Sequence, residues 1–190
     1  PEGLMSLMGG RLNFIKRLDE VFSTPPTSDF SYYGFKIHEI LEMELLNMGQ
    51  YAHGNQPIQH AIYFYNFARQ PWKTQEKIRH VMDNLYGDGP DGYCGDEDNG
   101  QTSAWFVFSA MGFYPVAPVT GQYVIGSPLF ESIKVELPNN KSVNINVSNN
   151  EKENIYVSSV KVNNQNYNKN WLDHSAVSYT HLRAHETLLY

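Results

Sequence analysis

Apolar positions recur at helical spacing through the first 115 or so residues and then switch to alternation. In RLNFIKRLDEVF, Leu12, Ile15, Leu18 and Phe22 fall on one helical face, which Phe14 and Val21 thicken. FKIHEILEMELLNM repeats the spacing with Ile37, Ile40, Leu41 and Leu45. IQHAIYFYNFA is apolar nearly all round and predicts a buried helix. Further helices are predicted through QPWKTQEKIRHVMDNLY, which has a Pro near its start, and through SAWFVFSAMGF. TPPTSDF and DGPDGYCGDEDNG read as loops from their Pro, Ser and Gly content.

Beyond YPVAP the segments QYVIG, SIKVEL, SVNINV and NIYVSSVKV are short, β-branched and alternating, and NNKS reads as a hairpin turn. The fold class is therefore α+β. Helices that pair as α-hairpins occupy 1–115, and a small antiparallel β region packed on them occupies 116–176. The stretch VSYTHLRAHETLLY (177–190) breaks the strand rhythm and reads as non-native readthrough from vector or assembly-end sequence.

Composition narrows the function classes. Hydrophobic residues make up 41% and charged residues 18%, a globular balance. The net charge of −6 comes without any basic run, which argues against nucleic acid as a partner. No stretch approaches the length of a membrane span. The single Cys94 excludes an internal disulfide. Aromatics reach 14%, which suits sugar stacking but equally suits an ordinary core.

Candidate chemistry gathers in three places. PDGYCGDEDNGQTSAW carries Asp96, Glu97 and Asp98 in a Gly-flanked loop that opens a helix. Three successive carboxylates in a partly buried loop call for a compensating helix terminus or cation. A catalytic or metal-binding loop and an acidic surface cap are equally good readings of these residues alone. The spacing is not that of an EF-hand. In FKIHEILEM, His38 and Glu42 stand one helical turn apart with Glu39 beside them, and the second His of a zinc-protease motif is missing. An ordinary solvated face is the simpler reading there. In YAHGNQPIQH, Asn55 and Gln56 stand at a helix entrance near His53 and His60, where amides suit Ca²⁺ or sugar hydroxyls and a plain Asn55 cap is the alternative. Acids beside Cys94 should raise its thiol pKa and disfavour a nucleophilic role.

GNQPIQH, QPWKTQEKIR, PDGYCGDEDNGQTSAWFVFSAMGFYPV and YVIGSPLF together resemble glycoside hydrolase family 92, from about Gly3 to about His174. The resemblance implies part of an (α/α)₆ catalytic barrel. In the whole protein a β-sandwich would precede it, the substrate would be an α-mannoside glycan, and the location would be periplasmic or secreted. It implies an inverting, calcium-dependent exo-α-mannosidase acting on terminal mannose, α-1,2-linked first, as in N-glycan degradation. By the same resemblance Asp98 is the first choice for the general base and Asp96 the second. Ca²⁺ contacts fall on Glu42, Asn55, Gln56 and Asp98. Substrate contacts fall on His38 and Glu39, with Glu97 beside the sugar or supporting the loop. The family's general acid belongs to an upstream motif that this sequence does not contain, so the fragment alone is expected to be inactive and poorly soluble. The alternatives are a calcium-independent (α/α)₆ glycosidase and a non-catalytic carbohydrate-binding or structural module.

Overall fold

The computed structural model describes residues 1–179 and 181–186. Its α-helices are α1 (Glu2–Leu7), α2 (Arg11–Ser23), α3 (His38–Leu46), α4 (Gln56–Gln59), α5 (Phe64–Phe67), α6 (Pro71–Asn84), α7 (Gln101–Met111) and α8 (His174–Tyr179). The strands are β1 (Phe113–Tyr114), β2 (Gln122–Ile125), β3 (Ser132–Leu137), β4 (Lys141–Ser148), β5 (Val157–Val162), β6 (Gln165–Tyr167), β7 (Trp171–Asp173) and β8 (His181–Glu186). Helices α1–α7 precede the strands, as the change in hydrophobic period predicts, and the short α8 falls between β7 and β8.

Helix α6 begins with Pro at its first turn, where a missing N–H costs nothing. Its buried face carries Ile78, Val81 and Met82. Helix α7 ends at Gly112, whose φ of 93° lets the chain turn back into β1. These two helices, the second contributing Trp105, pack with Tyr51, Ile62 and Tyr63 into the main core, which reaches Tyr114 and Val124 of the first sheet.

Two expectations need correction. The predicted face of α2 packs against Tyr65 and Ala68 through Phe14, Ile15, Leu18 and Phe22, and the departure from it is Leu12, which is 78% exposed. Helix α3 buries none of its residues, and Leu45 is 83% exposed, so helical spacing alone did not ensure cover.

The segment IQHAIYFYNFA is buried but not one helix. It runs as α4, a 3₁₀ turn at His60–Tyr63, and α5. Side chains bond to carbonyls on both sides of the break. Trp105 Nε1 donates to the Gln59 carbonyl at 3.1 Å, and Thr74 Oγ1 donates to the Ile62 carbonyl at 3.0 Å.

Among the described residues the strands form two sheets, ordered β1-β2-β7 and β3-β4-β8-β5-β6. β3 and β4 pair antiparallel through a turn at Pro138–Asn140, where NNKS predicts one. The first sheet already begins at Phe113, ahead of the expected boundary. Within the tail set apart by sequence, 181–186 pairs with β4 and β5, whereas residue 180 and residues 187–190 lie outside the described residues.

Candidate active site

The site is built where the loops before α4 and before α7 cross beside α3. The crossing is made by Gly54 and Gly95. A Cβ on Gly95 would lie 2.5 Å from the Gly54 Cα, and one on Gly54 would lie 2.6 Å from the Cys94 carbonyl. Either would also sit 2.8 Å from Glu42 Oε2, so the Glu42 carboxylate lies directly over the crossing. Only glycine allows so close a backbone approach.

Glu42 uses one oxygen on His38, whose Nδ1 lies 3.0 Å from Oε1. Its other oxygen, Oε2, is buried with no hydrogen-bond partner. His38 is exposed, and its Nε2 stands 3.4 Å from Glu39 Oε1. The hydrogen bond to Glu42 raises the His38 pKa, with the charges of Glu39, Glu42 and Asp96 adding to it.

The acidic loop is tied down by its backbone. The Asp96 carbonyl accepts from Gln56 Nε2 at 3.0 Å and from Thr102 Oγ1 at 2.8 Å. Glu97 Oε2 accepts from the Ser103 N–H at 3.2 Å, close to the positive end of α7. Asp98 and Asn99 take left-handed conformations with φ of 50° and 58°, which Asp and Asn adopt at less cost than most residues. Asp96 and Asp98 are exposed rather than partly buried, so solvent screens the repulsion expected among the three acids. Asn55 makes no side-chain cap bond to α4, which removes the simple capping explanation for it.

The profile of the glycosyl hydrolase family 92 catalytic domain matches residues 1–185. The chain belongs to glycoside hydrolase family 92. It is similar to the family 92 inverting mannosidase BT2199 of Bacteroides thetaiotaomicron, at 52% identity and a TM-score of 0.81, covering 98% of this chain and 25% of that one. It is similar also to the α-mannosidase BT3965 of the same organism, solved in complex with mannoimidazole, at 37% identity and a TM-score of 0.82, covering 94% of this chain and 22% of that one. An uncharacterized secreted glycosidase of Arthroderma benhamiae is 27% identical over 174 residues, which is 90% of this chain and 19% of that protein. The chain thus spans about a quarter or less of the length of these relatives.

Within this family 92 chain, His38, Glu39, Glu42, Gln56 and Asp96 are brought together, while Asp98 sits at the exposed end of the same loop. The oxygens near the crossing suit a hard cation. The orphaned Glu42 Oε2 is a buried acceptor without a donor. Gln56 commits its nitrogen to Asp96, which leaves the amide oxygen as its acceptor end. Calcium takes such mixed carboxylate, amide and water oxygens. Among the described residues no group of three or more His, Cys, Asp and Glu side chains is placed to hold a metal. An ion here would therefore need amide, carbonyl or water oxygens as well.

Behind the crossing lies a buried network that sequence reasoning missed. His53 is fully buried, with Nδ1 2.8 Å from the Tyr51 hydroxyl and Nε2 2.9 Å from the Tyr86 hydroxyl. The Tyr86 hydroxyl reaches onward to the Thr102 carbonyl at 3.2 Å and the Tyr51 hydroxyl to the Gln59 carbonyl at 3.3 Å, so the imidazole sits in a chain of buried hydroxyls and carbonyls. Burial pushes the imidazole down to about 3. Both nitrogens are occupied, so His53 is a structural residue and not a ligand. Burial likewise lifts the Cys94 thiol to about 11, with Glu42 a lesser cause, so the expected direction holds but desolvation rather than the acidic loop dominates.

Proposed function

We propose that this chain forms the base-bearing wall of an inverting, calcium-dependent exo-α-mannosidase that removes terminal α-linked mannose, α-1,2-linked first. Its helices would then be part of an (α/α)₆ barrel completed by sequence outside this chain, in a secreted or periplasmic protein. The observation that carries the reading is the buried, unpartnered oxygen of Glu42 over the Gly54–Gly95 crossing, within a family 92 frame.

Inversion needs a base on the face of the sugar opposite the leaving group, with room for water between. Asp98, exposed at the end of the acidic loop, is the first choice for that base and Asp96 the second. The carboxylate takes a proton from water as the water oxygen bonds to the anomeric carbon. The glycosidic C–O bond breaks at the same time, and the departing oxygen takes its proton from an acid supplied by the rest of the enzyme. His38 and Glu39 hold sugar hydroxyls. Glu97 buttresses the loop from the start of α7. Glu42, Asn55, Gln56 and Asp98 are the residues that would hold calcium. When bound, the ion supplies a hard Lewis-acid contact to sugar hydroxyls and favours a distorted ring.

The test is hydrolysis of an α-mannoside by the complete enzyme, with and without a calcium chelator, following the released anomer by NMR. Chelator-sensitive release of β-mannose is expected, and Asp98→Asn should abolish it. Release of α-mannose, or full activity in chelator, would overturn the mechanism.

A further inference from the structure

Two buried side chains behind the crossing, Gln59 and Thr102, are fully enclosed and bonded to each other, with Gln59 Nε2 3.2 Å from Thr102 Oγ1. The Asp96 carbonyl can only accept, so the Thr102 hydroxyl must donate its single proton there. That fixes Gln59 as donor to Thr102. Gln59 Nε2 also donates to the His53 carbonyl at 3.1 Å. One amide nitrogen therefore holds both loops, the one carrying Asn55 and Gln56 and the one carrying Asp96 and Asp98.

The amide cannot turn over without loss. Its Oε1 faces Gln101 Nε2 at 3.4 Å, and Gln101 is held in turn by the Tyr114 hydroxyl at 2.8 Å. The backbone of Gln59 is pinned by Trp105 Nε1. The Asp96 carbonyl is the meeting point, because it takes the Thr102 proton from behind and the Gln56 proton from the front.

We infer that Gln59 and Thr102 are positioning residues that hold the Asp96–Asp98 loop in register with the Asn55–Gln56 loop. The activity arm of this inference rests on the α-mannosidase reading, and its structural arm does not. The mechanism is geometric. Asp98 lies two residues beyond the pinned carbonyl, so release of that carbonyl lets the exposed carboxylate wander, and misplacement near 1 Å costs about a hundredfold in rate.

Thr102→Val removes the hydroxyl at nearly constant shape, and Thr102→Ser restores it. In the complete enzyme, Thr102→Val should lower kcat roughly tenfold to a hundredfold with KM little changed, and Thr102→Ser should recover most of it. Amide exchange at residues 101–104, whose N–H groups bond back to Glu97, Asp98 and Gly100 of the loop, should be faster without substrate in Thr102→Val and ordinary in Thr102→Ser. Gln59→Glu provides a second route, since its carboxylate draws the Thr102 proton away from Asp96 at constant size. It should speed the same amides. Unchanged exchange in both Thr102→Val and Gln59→Glu would overturn the inference, whatever the activity. So would Thr102→Ser failing to rescue, or loss of kcat only in proportion to folded enzyme. If exchange responds as expected but the wild-type enzyme hydrolyses no mannoside, the functional reading falls and the positioning role stands.

Discussion

Behind the acidic loop, His53, Gln59 and Thr102 are enclosed and their polar atoms are matched one to another. In front of it, Glu42 keeps an unmatched buried oxygen, while Asp96 and Asp98 face solvent. The two layers are separated by little more than the Asp96 peptide. A satisfied layer has nothing to gain from a ligand, so it fixes geometry. An unsatisfied layer gains from any donor or cation that meets it, so it is where binding energy can enter.

Removing the anchor of the rear layer should have the largest effect. Trp105 is fully buried, stacks on Tyr86 at 5.9 Å and bonds Gln59, so Trp105→Ala should destabilise by about 4 kcal/mol in chemical denaturation. Gly95→Ala drives a methyl into the Gly54 backbone and should cost about 3 kcal/mol while separating the two loops; a variant as stable as wild type would disprove the crossing.

The next prediction concerns pH. Burial holds the His53 imidazole down at about 3 in the folded protein, against the ordinary value of 6.5, so between those values the unfolded chain holds the extra proton. Stability from this group is complete above pH 6.5 and declines as pH falls, by about 2 kcal/mol between pH 6.5 and 5. Equilibrium unfolding across that range should lose this slope in His53→Gln. His38 works in the opposite sense. Its raised pKa gives a contribution that is present at low pH and fades as pH climbs through the folded value.

The smallest effect belongs to the front layer. Glu42→Gln replaces the unmatched carboxylate with a neutral amide and should stabilise the calcium-free protein by about 1 kcal/mol. The same change should abolish any rise in Tm on adding calcium chloride, a rise that wild type should display. A calcium-dependent Tm in Glu42→Gln would remove this residue from the metal site.

Legibility from sequence followed the range of the interactions. α6 and α7 were readable because Pro71 and Gly112 punctuate them and their apolar stripes face the core. α3 was readable as a helix but not in its burial, since cover depends on what lies opposite, and no spacing rule encodes that. The front residues His38, Glu42, Gln56 and Asp96 stood out as clustered polar groups on a helix face, at a helix entrance and in a Gly-flanked acidic loop. Gln59 and Thr102 did not, although GNQPIQH and DEDNGQTSAW contain them, because their meaning is a bond across 43 residues. Their position within two long family motifs was the one signal that pointed to them.

The backbone crossing also bears on how the protein folds. Its flanking bond joins Gln56 to Asp96, 40 residues apart, so closing it costs chain entropy before any of its own contacts repay that cost. Neither loop can reach its final path until the other is in place, because Gly54 and Gly95 touch through their main chains. Helices α6 and α7 are closed by local hydrogen bonds and carry no such closure cost. The crossing is therefore expected to close after the transition state for folding, with φ-values near zero for Gly54→Ala and Gly95→Ala and higher values within α6 and α7.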